Sequence, residues 1–156
     1  YFSYLTTCPA TVTVVLGDAR LSLEREPPQQ FDLLALDAFS SDAIPVHLLT
    51  REAFEIYGRH LKTNGVLAVH ISNHFLDLEP VVAALARHFG YAAATIDCDE
   101  NDEEWWDYAS TWMLLSRDRA LLESSPIQTA ANPPATNSLQ LPLWTDDYAS
   151  VFRILK

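Results

Sequence analysis

Residues 31–37 read Phe-Asp-Leu-Leu-Ala-Leu-Asp, and this stretch decides the fold class. A short, nearly continuous apolar run that stops at a polar residue is typical of a buried strand in a parallel sheet. Residues 66–71, Val-Leu-Ala-Val-His-Ile, repeat the pattern and are followed by Ser72-Asn73. We therefore predict two buried strands, over residues 31–36 and 66–71, that each end at a polar loop.

A helix is predicted between these two strands. Thr50 is a candidate N-cap, with the acidic Glu52 in the first turn. Phe54, Tyr57 and Leu61 then recur at spacings of three and four residues, as on the apolar face of an amphipathic helix. Strand, helix and strand in this order indicate a parallel α/β sheet.

Further elements continue the alternation. Additional strands are predicted over residues 12–16, 91–96 and 111–115. Additional helices are predicted over residues 19–26 and 77–88, with Asp77 as the N-cap of the second helix and Gly90 at its end. Because no helix-length segment joins the last two strands, we expect them to form an antiparallel hairpin.

The chain has 156 residues, enough for about one domain. We expect residues 1–123 to form the α/β domain. Residues 124–143 hold four prolines among polar residues, which predicts a linker or surface wrap. Residues 144–156 are apolar enough to form a C-terminal tail that packs on the domain.

The charge balance limits the partners. Lys and Arg number 10 and Asp and Glu number 21, which gives a formal net charge of −11. We therefore expect no binding to nucleic acid phosphates, and a negative field favours cationic partners. Seven acidic residues between positions 97 and 107, with Trp105 and Trp106 among them, are interpreted as either a solvated loop or a trap for cations.

Several kinds of site are not expected. The chain has only 4 glycines and none of them forms a GxGxxG or P-loop pattern, so no glycine-rich phosphate loop is predicted. His70 and His74 lie on a strand and the following loop rather than on one helix face, so no metal site is predicted. Ser40 and Ser41 lack a GxSxG context, which argues against a Ser–His–Asp hydrolase.

The cellular location is expected to be the cytoplasm. Cys8 and Cys98 form no CxxC motif and no disulfide framework. No apolar run approaches the roughly 18 residues of a spanning helix, and no signal-peptide pattern opens the chain. Because the first residue is Tyr1 rather than Met, we expect a processed or truncated product.

Polar groups follow three of the predicted strands. They are Gly17-Asp18-Ala19, residues 37–42 and Ser72-Asn73-His74. In an open parallel sheet, ligands bind beyond the carboxyl ends of the strands, so these groups are predicted to converge on a site. Asp37 is interpreted either as a carboxylate that caps a loop or the next helix, or as an anchor or general base. Asp18 and Asp42 are interpreted as turn residues or as contacts to a ligand.

Taken in order, these motifs resemble the spermidine synthase family, the polyamine aminopropyltransferases. The resemblance lies in residues 16–20, Leu-Gly-Asp-Ala-Arg, and in residues 31–45, 48–54 and 61–67. Residues 143–148, Leu-Trp-Thr-Asp-Asp-Tyr, are similar to bacterial spermidine-synthase-like proteins, in some of which such a domain follows membrane helices. The resemblance implies a Rossmann-like fold of the methyltransferase type.

The resemblance also implies a reaction. Family members transfer an aminopropyl group from decarboxylated S-adenosylmethionine to an amine such as putrescine, in polyamine biosynthesis. The co-substrate would be decarboxylated S-adenosylmethionine or S-adenosylmethionine, without a metal. The implied partner is a cationic polyamine or another amine.

Residue roles follow from the same resemblance. It implies that Asp18 and Ala19 lie at the adenine. It implies that Asp37 contacts the co-substrate and begins the catalytic loop, and that the catalytic base is Asp42 or Asp37. The candidate substrate-binding residues are Ser40, Ser41, Asp146 and Asp147.

The family's first two β-α units, with their glycine-rich loop, are not recognisable in this chain. We therefore expect a partial domain, whose sheet is completed by a missing N-terminal part or by a homo-oligomer. Three functions stay open. They are an aminopropyltransferase domain that is weak or inactive as an isolated chain, an S-adenosylmethionine-dependent methyltransferase, and a non-catalytic binding or assembly module. We expect the chain to lie in the cytoplasm, either as a protein of its own or as the cytosolic domain of a longer membrane-attached protein.

Overall fold

The computed structural model describes residues 3–38, 45–99, 108–133 and 141–156. Its helices are α1 (Tyr4–Thr7), α2 (Ala19–Arg25), α3 (Arg51–His60), α4 (Glu79–Phe89), α5 (Arg119–Leu122) and α6 (Ser125–Ala130). Its strands are β1 (Phe31–Leu36), β2 (Leu61–His70), β3 (Ala92–Cys98) and β4 (Ser110–Ser116), and short 3-10 turns span Val46–Leu48 and Val151–Arg153. No helix in these ranges is both long and apolar enough to cross a membrane.

The strands form a sheet in the order β1-β2-β4-β3. β1 and β2 are parallel, with Leu36 opposite Val69, whereas β4 is antiparallel to both β2 and β3. Among the described strands, β1, β2 and β3 therefore point one way and β4 points the other way. This arrangement confirms the prediction of an α/β fold with a largely parallel sheet and a C-terminal antiparallel hairpin.

The prediction of a strand over residues 12–16 is wrong. These residues adopt no regular structure, and Leu16 is 92% exposed. None of the described strands pairs with them. A β-branched apolar run becomes a strand only where a neighbouring strand takes up its backbone hydrogen bonds, and this segment has no such neighbour in the described part of the chain.

Capping residues set the ends of the long helices. Thr50 Oγ1 accepts a hydrogen bond from the amide of Ala53, and α3 begins at the next residue after Thr50, as predicted. Gly90, with φ of 72°, ends α4 as predicted. The N-cap predicted at Asp77 is wrong, because Leu78 holds that position and the Asp77 amide donates to the carbonyl of Ile154 instead.

The core lies between the sheet and helices α3 and α4. Phe54 and Tyr57 of α3 and Leu85 of α4 are fully buried, together with Leu67 of β2 and Leu115 of β4. Each large apolar side chain buried in this way contributes about 1.5–3 kcal/mol relative to its exposed state. The core therefore holds β1 and β2 in register and fixes where their carboxyl ends lie.

The last part of the chain packs against this core. A short helix, α6, lies where the sequence predicts only a linker or surface wrap, and the amide of Asn132 then donates to the carbonyl of Thr95 at 2.8 Å. Residues 134–140 of the same segment lie outside the described ranges. In the tail, Trp144 and Ile154 are buried in the core.

Candidate functional site

The carboxyl ends of β1 and β2 bring together an acid and a base. The two strands are parallel, so their carboxyl ends lie at the same edge of the sheet. Asp37 follows the last residue of β1, and His70 is the last residue of β2. Asp37 Oδ1 and His70 Nδ1 are 2.7 Å apart, which is a hydrogen-bond distance. The parallel pairing of β1 and β2 thus brings two residues that are distant in sequence into contact.

His70 is held on its other sides as well. Its Nε2 lies 2.7 Å from Ser72 Oγ, and its ring stacks on the ring of Trp112, with centroids 4.7 Å apart and an angle of 11° between the planes. Trp112 lies opposite His70 in the β2–β4 register. The amide of Thr111 donates to Ser72 Oγ at 2.7 Å. The imidazole is therefore fixed in place and in orientation.

The hydrogen bonds select one tautomer when Asp37 is ionised. An ionised carboxylate only accepts, so Nδ1 of His70 carries the proton and donates to Asp37. In a neutral imidazole, Nε2 then accepts, and the hydroxyl of Ser72 is its donor. Ser72 Oγ accepts in turn from the Thr111 amide. Every donor in the series then has an acceptor.

The order Asp37, His70, Ser72 has the hydrogen-bond sequence of a serine hydrolase triad. An acyl transfer site also needs amides that point at an oxyanion. The amides of Phe75 and Leu76, which follow Ser72 closely, both donate to Asn73 Oδ1 at 2.9 and 2.8 Å. Because both amides already donate to Asn73, they do not form an oxyanion site and do not support a hydrolase.

A cleft of about 660 Å³, here called the β2–β3 cleft, opens beside His70 and Ser72. The carboxylates that line it are Asp77, Glu79, Asp97 and Asp99. Two of them have partners among the described residues. Glu79 accepts from the Thr95 hydroxyl at 3.2 Å, and Asp97 accepts from the side-chain amide of Asn132 at 2.8 Å. Asp97 and Asp99 begin the acidic segment that is interpreted from its sequence as either a solvated loop or a trap for cations. Residues 100–107 of that segment lie outside the described ranges.

A primary ammonium group already lies at the β2–β3 cleft. Lys156 lines the cleft, and its Nζ donates to the carbonyl of Asn73 at 2.7 Å. A bridge between Leu76 and Leu155 holds the tail alongside this loop. The cleft therefore holds one alkylammonium group, which a backbone carbonyl binds.

A second cleft, of about 600 Å³, lies between α2 and the start of α3 and is here called the α2–α3 cleft. Of the predicted site residues, Asp18, Asp146 and Asp147 line it. Asp18 is the N-cap of α2, its Oδ1 accepts the Leu21 amide at 2.9 Å, and its Oδ2 lies 3.0 Å from His47 Nε2. The Leu21 amide, more than any other group, lowers the pKa of Asp18. Ala19 is the first residue of α2.

Asp146 is already paired in this cleft. Its two oxygens accept from the guanidinium of Arg20 at 2.8 and 2.6 Å, and Oδ1 also accepts from the hydroxyl of Thr50 at 2.8 Å. The Arg20 guanidinium lowers the pKa of Asp146, and Asp146 raises that of Arg20. The contact joins the C-terminal tail to α2 and α3. Asp146 therefore stabilises the fold, whether or not it also binds a ligand.

The structure thus separates the predicted residues. Asp37 lies with His70 at the sheet edge, whereas Asp18, Asp146 and Asp147 share the α2–α3 cleft. Ser40, Ser41 and Asp42 lie outside the described ranges. Within those ranges no group of three His, Cys, Asp or Glu side chains is placed to hold a metal ion.

The sequence interpretation missed the role of His70, which it considered only as half of a metal pair with His74. The usable signal was its position. Asp37 follows the strand predicted over residues 31–36, His70 lies near the end of the strand predicted over residues 66–71, and neighbouring parallel strands bring such residues together.

The chain has an α/β fold with a mixed sheet. No family model matches it. It is similar to the "Polyamine aminopropyltransferase" of Vibrio vulnificus (strain CMCP6), with 39% identity over 56 residues, which are 35% of this chain and 19% of the relative. This similarity confirms the resemblance that the motifs indicate. It also means that the chain spans a small part of the length of the curated relative it matches.

Among solved structures, the chain is similar to the crystal structure of MNMC2 from Aquifex aeolicus. The identity is 20% and the TM-score is 0.46. The match covers 73% of this chain and 35% of that one.

Proposed function

We propose that this chain is the later part of an aminopropyltransferase domain. In the complete protein, the domain transfers an aminopropyl group from decarboxylated S-adenosylmethionine to a cationic amine such as putrescine. The observation that carries the proposal is the Asp37 carboxylate at the carboxyl end of β1, held 2.7 Å from His70. The 56-residue similarity to a polyamine aminopropyltransferase supports the same reaction class.

The chemistry suits a carboxylate at this edge. An aliphatic amine is an ammonium ion at neutral pH, so it must give up a proton before its nitrogen can attack. Asp37 or Asp42 accepts that proton. The nitrogen then bonds to the carbon beside the sulfonium, the carbon–sulfur bond breaks, and its electron pair goes to sulfur. The product is a secondary ammonium and a neutral thioether, and the carboxyl group returns its proton to water.

The electrostatics favour a cationic acceptor. The net charge of −11 draws cations to the protein. The β2–β3 cleft beside His70 carries four carboxylates on its walls and accommodates the ammonium of Lys156. We infer that the distal ammonium of a diamine binds on this side of the sheet edge.

On this proposal, the co-substrate contacts Asp18 and Ala19 through its adenine, and Ser40 and Ser41 contact the amine. Asp147 shares the α2–α3 cleft with Asp18 and so lies on the co-substrate side. The sheet is completed by an N-terminal part of the protein or by a second copy. The domain is cytoplasmic, alone or attached to a membrane segment. We expect this chain by itself to bind methylthioadenosine weakly in isothermal titration, and tight binding would contradict the proposal that it is a partial domain.

The test is a transfer assay with the full-length protein that contains this chain. Asp37→Asn is expected to lower kcat by about 10²-fold or more, as for the loss of a general base. Asp32→Asn is the matched control, because Asp32 lies on the same strand and pairs only with the exposed Lys62 among the described residues. Unchanged turnover in Asp37→Asn would remove Asp37 from the reaction.

Two other functions are tested in the same assay. A methyltransferase would transfer a methyl group from S-adenosylmethionine and leave decarboxylated S-adenosylmethionine untouched. A binding module without catalysis would transfer neither group. The exposed segment 12–16, with Leu16 92% exposed, favours the module as the second candidate, because it is an apolar surface that a partner can cover.

A further inference from the structure

We propose that His70 is a positioning residue for Asp37, that Ser72 sets the tautomer this task needs, and that Trp112 holds the ring in place. The inference rests on the proposed function, in which the Asp37 carboxylate accepts a proton from the amine. It adds a residue that the sequence analysis assigns to no role.

The Asp37 carboxylate needs a support if it is to accept a proton. Its side chain is 59% exposed, and His70 is its hydrogen-bond partner among the described residues. An exposed aspartate rotates freely about its side-chain bonds and spends little time in any one direction. A proton acceptor must instead stay within hydrogen-bond reach of the group that gives up the proton.

The His70 imidazole can supply this support. Its side chain is only 19% exposed, and it is fixed by Ser72 on one edge and by the Trp112 ring on one face. Trp112 is held in turn by the β2–β4 register. Because the imidazole is fixed relative to the sheet, its hydrogen bond also fixes the direction of the exposed Asp37 carboxylate.

The two oxygens of Asp37 have different tasks. His70 Nδ1 and Asp37 Oδ1 are 2.7 Å apart, and with Asp37 ionised Nδ1–H donates to Oδ1. Oδ2 is then the oxygen that meets the amine. When Oδ2 accepts the proton, Oδ1 becomes the carbonyl oxygen of a carboxylic acid and still accepts from Nδ1–H. The contact with His70 therefore persists before and after the proton transfer, and no proton moves to or from His70.

The first test uses this chain itself. Nitrogen NMR of the labelled histidines is expected to show His70 in a single neutral tautomer with the proton on Nδ1. In Ser72→Ala, which removes the donor to Nε2, the two tautomers are expected to interconvert. A proton on Nε2 in the unsubstituted chain would overturn the proposal.

The second test compares two variants of the full-length protein. An asparagine amide nitrogen falls where Nδ1 of histidine lies, whereas a glutamine amide nitrogen falls where Nε2 lies. His70→Gln is expected to lower kcat by up to about 10²-fold, as for a misplaced catalytic group, with the KM for the amine nearly unchanged. His70→Asn keeps a donor for Asp37 and is expected to recover most of the lost kcat.

His88→Gln is the control, because His88 lies in the last turn of α4, where its ring contacts Phe89 edge-on. Both His70 variants lose the ring that stacks on Trp112, so a merely structural role predicts equal losses for the two. Equal losses, or full activity in His70→Gln, would overturn the proposal. If the unsubstituted protein transfers no aminopropyl group, the proposed function fails, and the tautomer measurement alone then decides whether His70 holds Asp37.

Discussion

Nδ1 of His70 lies 2.7 Å from Oδ1 of Asp37, although the two residues are 33 positions apart in the chain. The contact exists because β1 and β2 are parallel neighbours and both residues stand at the carboxyl ends of these strands. Ser72 completes the series, with its Oγ 2.7 Å from Nε2 of the same imidazole.

Ser72 is expected not to act as a nucleophile. Its Oγ accepts a hydrogen bond from the Thr111 amide. The amides of Phe75 and Leu76 donate to Asn73 Oδ1 and are not directed at an oxyanion. A fluorophosphonate probe should therefore leave Ser72 unlabelled in this chain, as read by mass spectrometry of the digested protein. Stoichiometric labelling that Ser72→Ala abolishes would contradict this and point to a hydrolase.

The contact between Arg20 and Asp146 is expected to stabilise the folded chain modestly. The pair is bidentate, but the Asp146 side chain is 43% exposed, so solvent weakens it. A double-mutant cycle with Arg20→Gln and Asp146→Asn, measured by urea unfolding, should give a coupling free energy of about 1 kcal/mol.

The pair of Lys62 and Asp32 is the control for that cycle. Its side chains are 42% and 83% exposed. Its coupling free energy should be close to zero and no more than about 0.5 kcal/mol. Equal coupling in both pairs would show that the bidentate geometry at Arg20 adds nothing.

Acid is expected to weaken the domain through Asp18 and Asp146. The pKa of Asp18 is lowered chiefly by the Leu21 amide, and that of Asp146 chiefly by the Arg20 guanidinium. A carboxyl group whose pKa is lower in the folded state stabilises it fully above the unfolded value, ordinarily 3.8. That stability is lost as the pH falls through the lower, folded value.

The free energy of unfolding should therefore be level above this range and fall below it. Asp18→Asn with Asp146→Asn should make the fall shallower, as measured by urea unfolding from neutral pH down to acid. Asparagine is a good N-cap, so Asp18→Asn removes the titration and keeps the cap. An unchanged acid slope in the double variant would contradict the assignment to these two carboxyls.

Gly65 and Gly58 are expected to respond oppositely to alanine. A Cβ at Gly65 would lie 2.8 Å from the carbonyl oxygen of Phe31, which belongs to the backbone of the neighbouring strand. Gly65→Ala should therefore cost about 1–3 kcal/mol, because β1 and β2 must move apart. The measurement is urea unfolding of the single variants.

At Gly58, inside α3, the nearest atom to such a Cβ is the hydroxyl of Tyr91 at 3.1 Å. That hydroxyl is the end of a side chain and can shift, and alanine favours the helix by up to about 1 kcal/mol. Gly58→Ala should therefore be close to neutral or stabilising. A larger loss at Gly58 than at Gly65 would contradict the idea that the strand spacing decides the difference.

Much of the fold was readable from local pattern. The apolar run before Asp37 predicted β1, and the Thr50 cap with the spacing of Phe54 and Tyr57 predicted α3. Gly90 correctly marked the end of α4. These features depend on residues that are close in the chain, and local backbone preferences are enough to decide them.

The errors have the opposite cause. Residues 12–16 have the composition of a strand, yet a strand needs a neighbour, and pattern alone does not say whether one is present. Asp77 looked like an N-cap because its competing role, an amide bonded to Ile154, comes from the far end of the chain.

The α/β class, the order of β1, α3 and β2, and the place of Asp37 after a strand all follow from local residue pattern. The contacts of Asp37 with His70 and of Asp146 with Arg20 arise only in the folded chain. Strand register and the packing of distant segments set such contacts. A hydrogen bond across 33 or 126 residues leaves no periodicity in the chain.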